Sequence, residues 1–185
     1  MIYPPDSDIY NANLADLALL NVQLAVKARL RACPWFAPVN VLAVQEGDIV
    51  NEIARSLGTM TKGYGLGMCV VIGTPNADDS TDNAAAIDLD PFYIAVDVYC
   101  DPLTVNGANG VKRTMEGTAL NALRLLKGWT PAGMRGPLAA NRPTLSTLPD
   151  AGNTGILIKR VNLRGALALP VLRLEGEGLF PEETV

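Results

Sequence analysis

Apolar and polar positions divide the chain into helical and extended stretches. Between residues 13 and 31, Leu14, Leu17, Leu19, Val22, Leu24, Val26 and Leu30 spread around most of a helical wheel, while Asp16, Gln23 and Lys27 share one narrow strip. This predicts a long helix that must be covered from several sides, by its own chain or by a neighbouring subunit. In "VNVLAV", after Pro34 and Pro38, alternation of Val39, Val41 and Ala43 predicts a strand. A short helix follows. Asp48 stands at its N-cap, Ile49, Val50, Ile53, Ala54 and Leu57 make one face, and Gly58 takes the position just past its end.

Met68–Thr74 is continuously apolar, which predicts a strand in the body of a sheet. In "FYIAVDVYCDP", Phe92, Ile94, Val96 and Val98 fall on one face and Tyr93, Ala95, Asp97 and Tyr99 on the other, as in a half-buried strand. The two strands and the segment between them read as an extended hairpin. Met115, Ala119, Ala122, Leu123 and Leu126 then recur at helical spacing, with Lys127, Gly128 and Pro131 as stop signals. Residues 130–155 show no period and read as a long loop or arm that orders against partners. "GILIKRVNLR" and "ALALPVLRLE" close the chain as two strands, the second put at an edge or bulge by Pro170. The fold class is α+β: a mixed, mostly antiparallel sheet flanked by two or three helices, with a long loop. A single domain spans 1–185, with an N-terminal extension (1–12), the long loop (130–155) and an acidic tail (176–185).

Composition removes several function classes. The 185 residues are 49% hydrophobic, 5% aromatic and 18% charged, which is the profile of a globular chain. No apolar run approaches the ~18 residues of a membrane helix, and "MIYPPDSDIY" lacks the pattern of a secretory signal, so a cytosolic origin is expected. Cys33, Cys69 and Cys100 are far apart and odd in number, which predicts buried free thiols. Histidine is absent, so Ser–His–Asp, Cys–His and His-based zinc chemistry are excluded.

The net charge of −4 conceals a split: residues 1–101 hold 13 acids and 5 bases, residues 110–174 hold 10 bases and 2 acids, and Glu175, Glu177, Glu182 and Glu183 follow. Two ordinary solvated faces are one reading. Head-to-tail association, with one subunit's acidic side against its neighbour's basic side, is another. DNA binding is a weaker third, because the bases are dispersed and lack interleaved aromatic residues.

Candidate chemistry centres on "PNADDSTDNAAAIDLDP", where Asp78, Asp79, Asp82, Asp88 and Asp90 occur without a base. It lacks the glycine and terminal glutamate of an EF-hand loop. A low-affinity cation site at Asp78, Asp79 and Asp82 is one reading, and a carboxylate-dependent metal enzyme is a further one. The latter lacks a nearby base, Lys62 lying beyond a strand. The favoured reading is a solvated hairpin tip, with Asp88 and Asp90 guarding the strand start. Gly63, Gly65 and Gly67 precede a strand rather than follow one, and "NGANGVKRT" fails phosphate-loop spacing. Asp97, a charge inside a strand, is open to three readings: facing solvent, pairing across a subunit contact, or lining a pore. No catalytic, cofactor-binding or metal-binding residue and no cofactor is assigned.

The run "CVVIGTP", an acidic loop, "IAVDVYCDP" and "ALNALRLLKGWTP" resembles the tail terminator proteins of long-tailed bacteriophages, across roughly residues 14–175; neck and head–tail joining proteins have similar folds. The resemblance implies a non-enzymatic virion protein made in the host cytoplasm. It implies self-assembly into a ring, typically a hexamer, that caps the tail tube, ends its polymerisation and presents a surface to head–tail connector proteins. DNA would cross the lumen without sequence-specific contact, and no membrane is involved.

Overall fold

The computed structural model describes residues 8–58, 67–74, 88–101, 113–148 and 155–168. Its elements are α1 (Asp8–Arg31), β1 (Asn40–Ala43), α2 (Ile49–Ser56), β2 (Met68–Gly73), β3 (Asp88–Cys100), α3 (Met115–Leu126), β4 (Ala139–Leu148) and β5 (Leu157–Ala168), with 3-10 turns at Pro34–Phe36 and Val44–Glu46. The strands form one sheet in the order β1-β2-β3-β5-β4. β1 runs parallel to β2, and the other neighbours are antiparallel. This is the expected α+β class, including the hairpin of β2 and β3.

One face of the sheet carries the main core. Val70 and Ile72 of β2, Phe92, Ile94, Val96 and Val98 of β3, and Val161, Leu163 and Leu167 of β5 pack with Val22, Val26 and Leu30 of α1 and Ala119, Ala122 and Leu126 of α3. Each fully buried Val, Leu, Ile or Phe contributes about 1.5–3 kcal/mol over its exposed state. Helix ends are set locally. Thr114 accepts a hydrogen bond from Gly117 N at 3.0 Å to cap α3, and Asp48 accepts one from Asn51 N at 3.4 Å to cap α2. Past their ends, Gly58 and Gly128 adopt φ of 76° and 83°, where a side chain would be strained.

Two sequence expectations are corrected. The stretch 130–155 is not a bare loop: Met134 bridges to Leu167, and residues 139–148 form β4 against β5. Its signal is weak because β4, the outermost strand among the described residues, mixes polar and small or apolar residues without alternation, is half-exposed to exposed, and is interrupted by Pro143 and by a register shift between Ala140 and Leu145. Gly165 also does not divide the closing segment into two strands; β5 continues through it to Ala168. Here a Cβ would collide with Met134, so the glycine admits the methionine onto the sheet. The rest of "ALALPVLRLE", with Pro170, lies outside the described residues.

Candidate functional site

The opposite face of the sheet holds a smaller cluster. Leu42, Cys69 and Val71 pack under Ile49 and Ile53 of α2, with Tyr99 alongside. Because α2 contacts β1 and β2, a cleft of about 310 Å³ opens beside it. Val44, Ile49, Ile53 and Val71 line its apolar side, and Gln23, Thr74, Asp97 and Arg160 are among its polar lining.

The central polar feature is an ion pair across adjacent strands. Asp97 on β3 stands directly opposite Arg160 on β5. The guanidinium donates twice, Nε to Oδ1 and Nη2 to Oδ2, both at 2.7 Å. Asp97 is 7% exposed, so the two hydrogen bonds compensate a carboxylate taken out of water. The hydrogen bond to Asp97 raises the Arg160 pKa further. Tyr99, next on the same face, is also raised, first by burial and then by the Asp97 charge. The sequence left Asp97's partner open; the partner belongs to the same chain.

Two residues of the polar strip of α1, Gln23 and Lys27, point toward the turn that follows β1, beside this cleft. Gln23 is 1% exposed; its Oε1 accepts from Gln45 N at 3.2 Å and its Nε2 donates to Thr74 Oγ1 at 3.4 Å. Lys27 pairs with Glu46, whose carboxylate also accepts from Ala43 N at 3.1 Å at the end of β1. Sequence reading identified the strip but not its direction, since a glutamine in a polar strip gives no sign of burial.

Cys69 and Cys100 are buried free thiols, as expected, whereas Cys33 is half-buried. Burial pushes the Cys69 thiol up to about 12 and that of Cys100 up to about 11. Neither is poised as a nucleophile at neutral pH.

Asp78, Asp79 and Asp82, the hairpin tip, Lys62, and the Gly63–Gly65 and "NGANG" stretches lie outside the described residues. Asp88 and Asp90 fall within β3, in a part paired with β5 beyond the reach of β2. Among the described residues, no three His, Cys, Asp or Glu side chains converge in a way that could hold a metal, and no helix is long and apolar enough to cross a membrane.

The charge split acquires a geometry in this fold. The β1–α2 side carries Glu46, Asp48 and Glu52, with Glu46 paired to Lys27 and Glu52 to Arg55. The β5–β4 side carries Arg142, Lys159 and Arg164, Arg160 being paired with Asp97, and described residues 131–148 and 155–168 include no acid. Strand order puts β1 and β4 at opposite ends of the described sheet, with β5 between β3 and β4. Among the described residues, β1 and β4 each pair with one strand.

No family model and no curated protein matches the chain. One solved structure to which it is similar is described as the virion of a native gene transfer agent particle; the two are 19% identical over 80% of this chain and 95% of that one, with a TM-score of 0.45. A second solved chain is 15% identical over 90% of this chain and 97% of its own, with a TM-score of 0.44.

Proposed function

We propose that the protein is a structural subunit of a phage virion, a tail terminator that closes head to tail into a ring. The observation that carries this reading is that the two outer strands of the described sheet have unlike surroundings. The β5–β4 side bears Arg142, Lys159 and Arg164 and no acid among the described residues, while on the β1–α2 side Glu46 and Glu52 are paired with Lys27 and Arg55 and Asp48 caps α2. Two different patches on one subunit make a heterologous contact, and heterologous contacts that close make rings. The two edges also differ in kind. Ala43 N at the end of β1 is capped by Glu46, and Asn40 Nδ2 donates to Ser56 Oγ at 3.0 Å, so that edge presents side chains. β4 presents a strand.

The ring, sixfold as the resemblance implies, acts by shape. One rim matches the end of the tail tube, while the other withholds the contacts that the next tube subunit needs and offers a surface to the connector. Incubation with tail tubes tests this: the protein is expected to bind tube ends and halt elongation. Binding along the tube wall, or incorporation into it, would assign it to another part of the tail, and failure to associate would defeat the reading.

A further inference from the structure

A second charged surface lies on the helical layer. The last turn of α1 holds Arg29 and Arg31, the last turn of α3 holds Arg124, and Lys127 is the C-cap of α3; all four are exposed. Arg29 joins the two helix ends. Its Nε donates to Leu125 O at 3.5 Å, and its guanidinium lies 5.5 Å from the centre of the Trp129 ring. A carbonyl on its edge and an indole on its face fix the plane of the fork at the surface.

The sign of this surface follows from the sequence around it. Residues 17–45 and 117–149 contain no acid. Glu46, the next carboxylate after α1, is paired with Lys27, and Glu116 stands in the first turn of α3, about 12 Å along the axis from Arg124. Each helix end contributes about half a negative charge. The full charges of Arg29, Arg124 and Lys127 outweigh these, so the surface is positive. Bases dispersed along the chain without aromatic neighbours spoke against nucleic-acid binding. The fold alters both conditions here, because Arg29, from the acid-rich half of the chain, is brought to Trp129, Arg124 and Lys127.

We infer that this surface binds the phosphodiester backbone of a nucleic acid, a function beyond the ring and independent of it. A protein partner needs an apolar centre to its interface. Among the described residues of α1 and α3, Leu120 alone is an exposed large apolar side chain. Positive charge without an apolar centre suits a polyanion, whose binding is driven by release of its counterions. Trp129 packs partly against the core and carries Arg29 on its ring, so it offers no platform for stacking bases. The contact is therefore to phosphates alone, independent of base sequence and open to duplex DNA.

Fluorescence anisotropy of a labelled DNA duplex of arbitrary sequence, titrated with the full chain, tests the inference. Binding is expected in about 50 mM salt, with affinity falling roughly 40-fold by about 200 mM, as release of about three counterions requires. Arg124→Gln with Lys127→Gln should weaken binding by about tenfold or more and lower the salt slope by about two. Gln45→Glu with Val50→Glu, at exposed positions on the β1–α2 side, makes the same change in net charge and should leave affinity and slope nearly unchanged. Equal weakening by the two double variants, or no duplex binding in low salt, would overturn the inference. Binding of poly-glutamate but not of duplex would assign the surface to an acidic protein and overturn it as well. Ring formation is read separately from mass in solution, so either result can fail without the other.

Discussion

Asp97 and Arg160 are 63 residues apart in sequence and directly opposite each other in the sheet, joined by two hydrogen bonds of 2.7 Å. Removing one partner strands the other's charge. Arg160→Met leaves the Asp97 carboxylate in a site with little water, at a cost of about 2–4 kcal/mol, discounted because Arg160 is partly exposed. Replacing both, by Asp97→Leu with Arg160→Met, is expected to recover most of that loss. Urea denaturation of the three proteins checks it; a double variant as unstable as the single would contradict the pairing argument.

Alkaline pH should weaken the fold through its buried thiols. Cys69 and Cys100 have folded pKa values of about 12 and about 11, against ordinary values of 9.0. The folded protein therefore holds protons that the unfolded chain releases. The stabilisation is complete below pH 9 and is lost as pH rises through the folded values. Each thiol contributes a slope of about 1.4 kcal/mol per pH unit in that window. Cys69→Ala should make the fall in stability between pH 9 and 11 shallower by one proton, as read from denaturation midpoints across pH.

Gly165→Ala tests the close approach of Met134 to β5. The added Cβ meets the Met134 side chain and comes within 3.3 Å of Leu138 Cδ2. A loss of about 1–3 kcal/mol is expected from overpacking. The same substitution in a Met134→Ala background should cost much less, and thermal melts of the four proteins give the coupling.

Gln23 ties α1 to the ends of β1 and β2 through Gln45 and Thr74. Gln23→Ala leaves the Gln45 amide without its acceptor and opens space in a buried site, costing about 1–3 kcal/mol. Faster amide exchange at residues 44–46 than in the unmodified protein would be the local sign.

Most elements were legible because local chemistry and tertiary demand agree in them. The apolar run of β2, the alternation of β3 and the spacing of α3 each read correctly, and so did the caps at Asp48 and Gly58. β4 was not legible, since an edge strand with one exposed side needs neither strict alternation nor bulky residues. Face assignment in β3 was right, but the second face is more buried than a half-buried strand implies: Ala95 and Asp97 are 2% and 7% exposed. The partner of Asp97 was beyond sequence reading because it depends on the register of two strands distant in the chain. The charge split was visible as numbers, while the pairing of Glu46, Glu52 and Arg160 within the chain came only from the fold.

The mass of the protein in solution tests the ring most directly. Light scattering across a concentration series is expected to show a closed oligomer of defined size, a hexamer on the family resemblance. Raised salt or Arg142→Glu with Arg164→Glu should dissociate it. A chain that remains monomeric at high concentration would contradict the account.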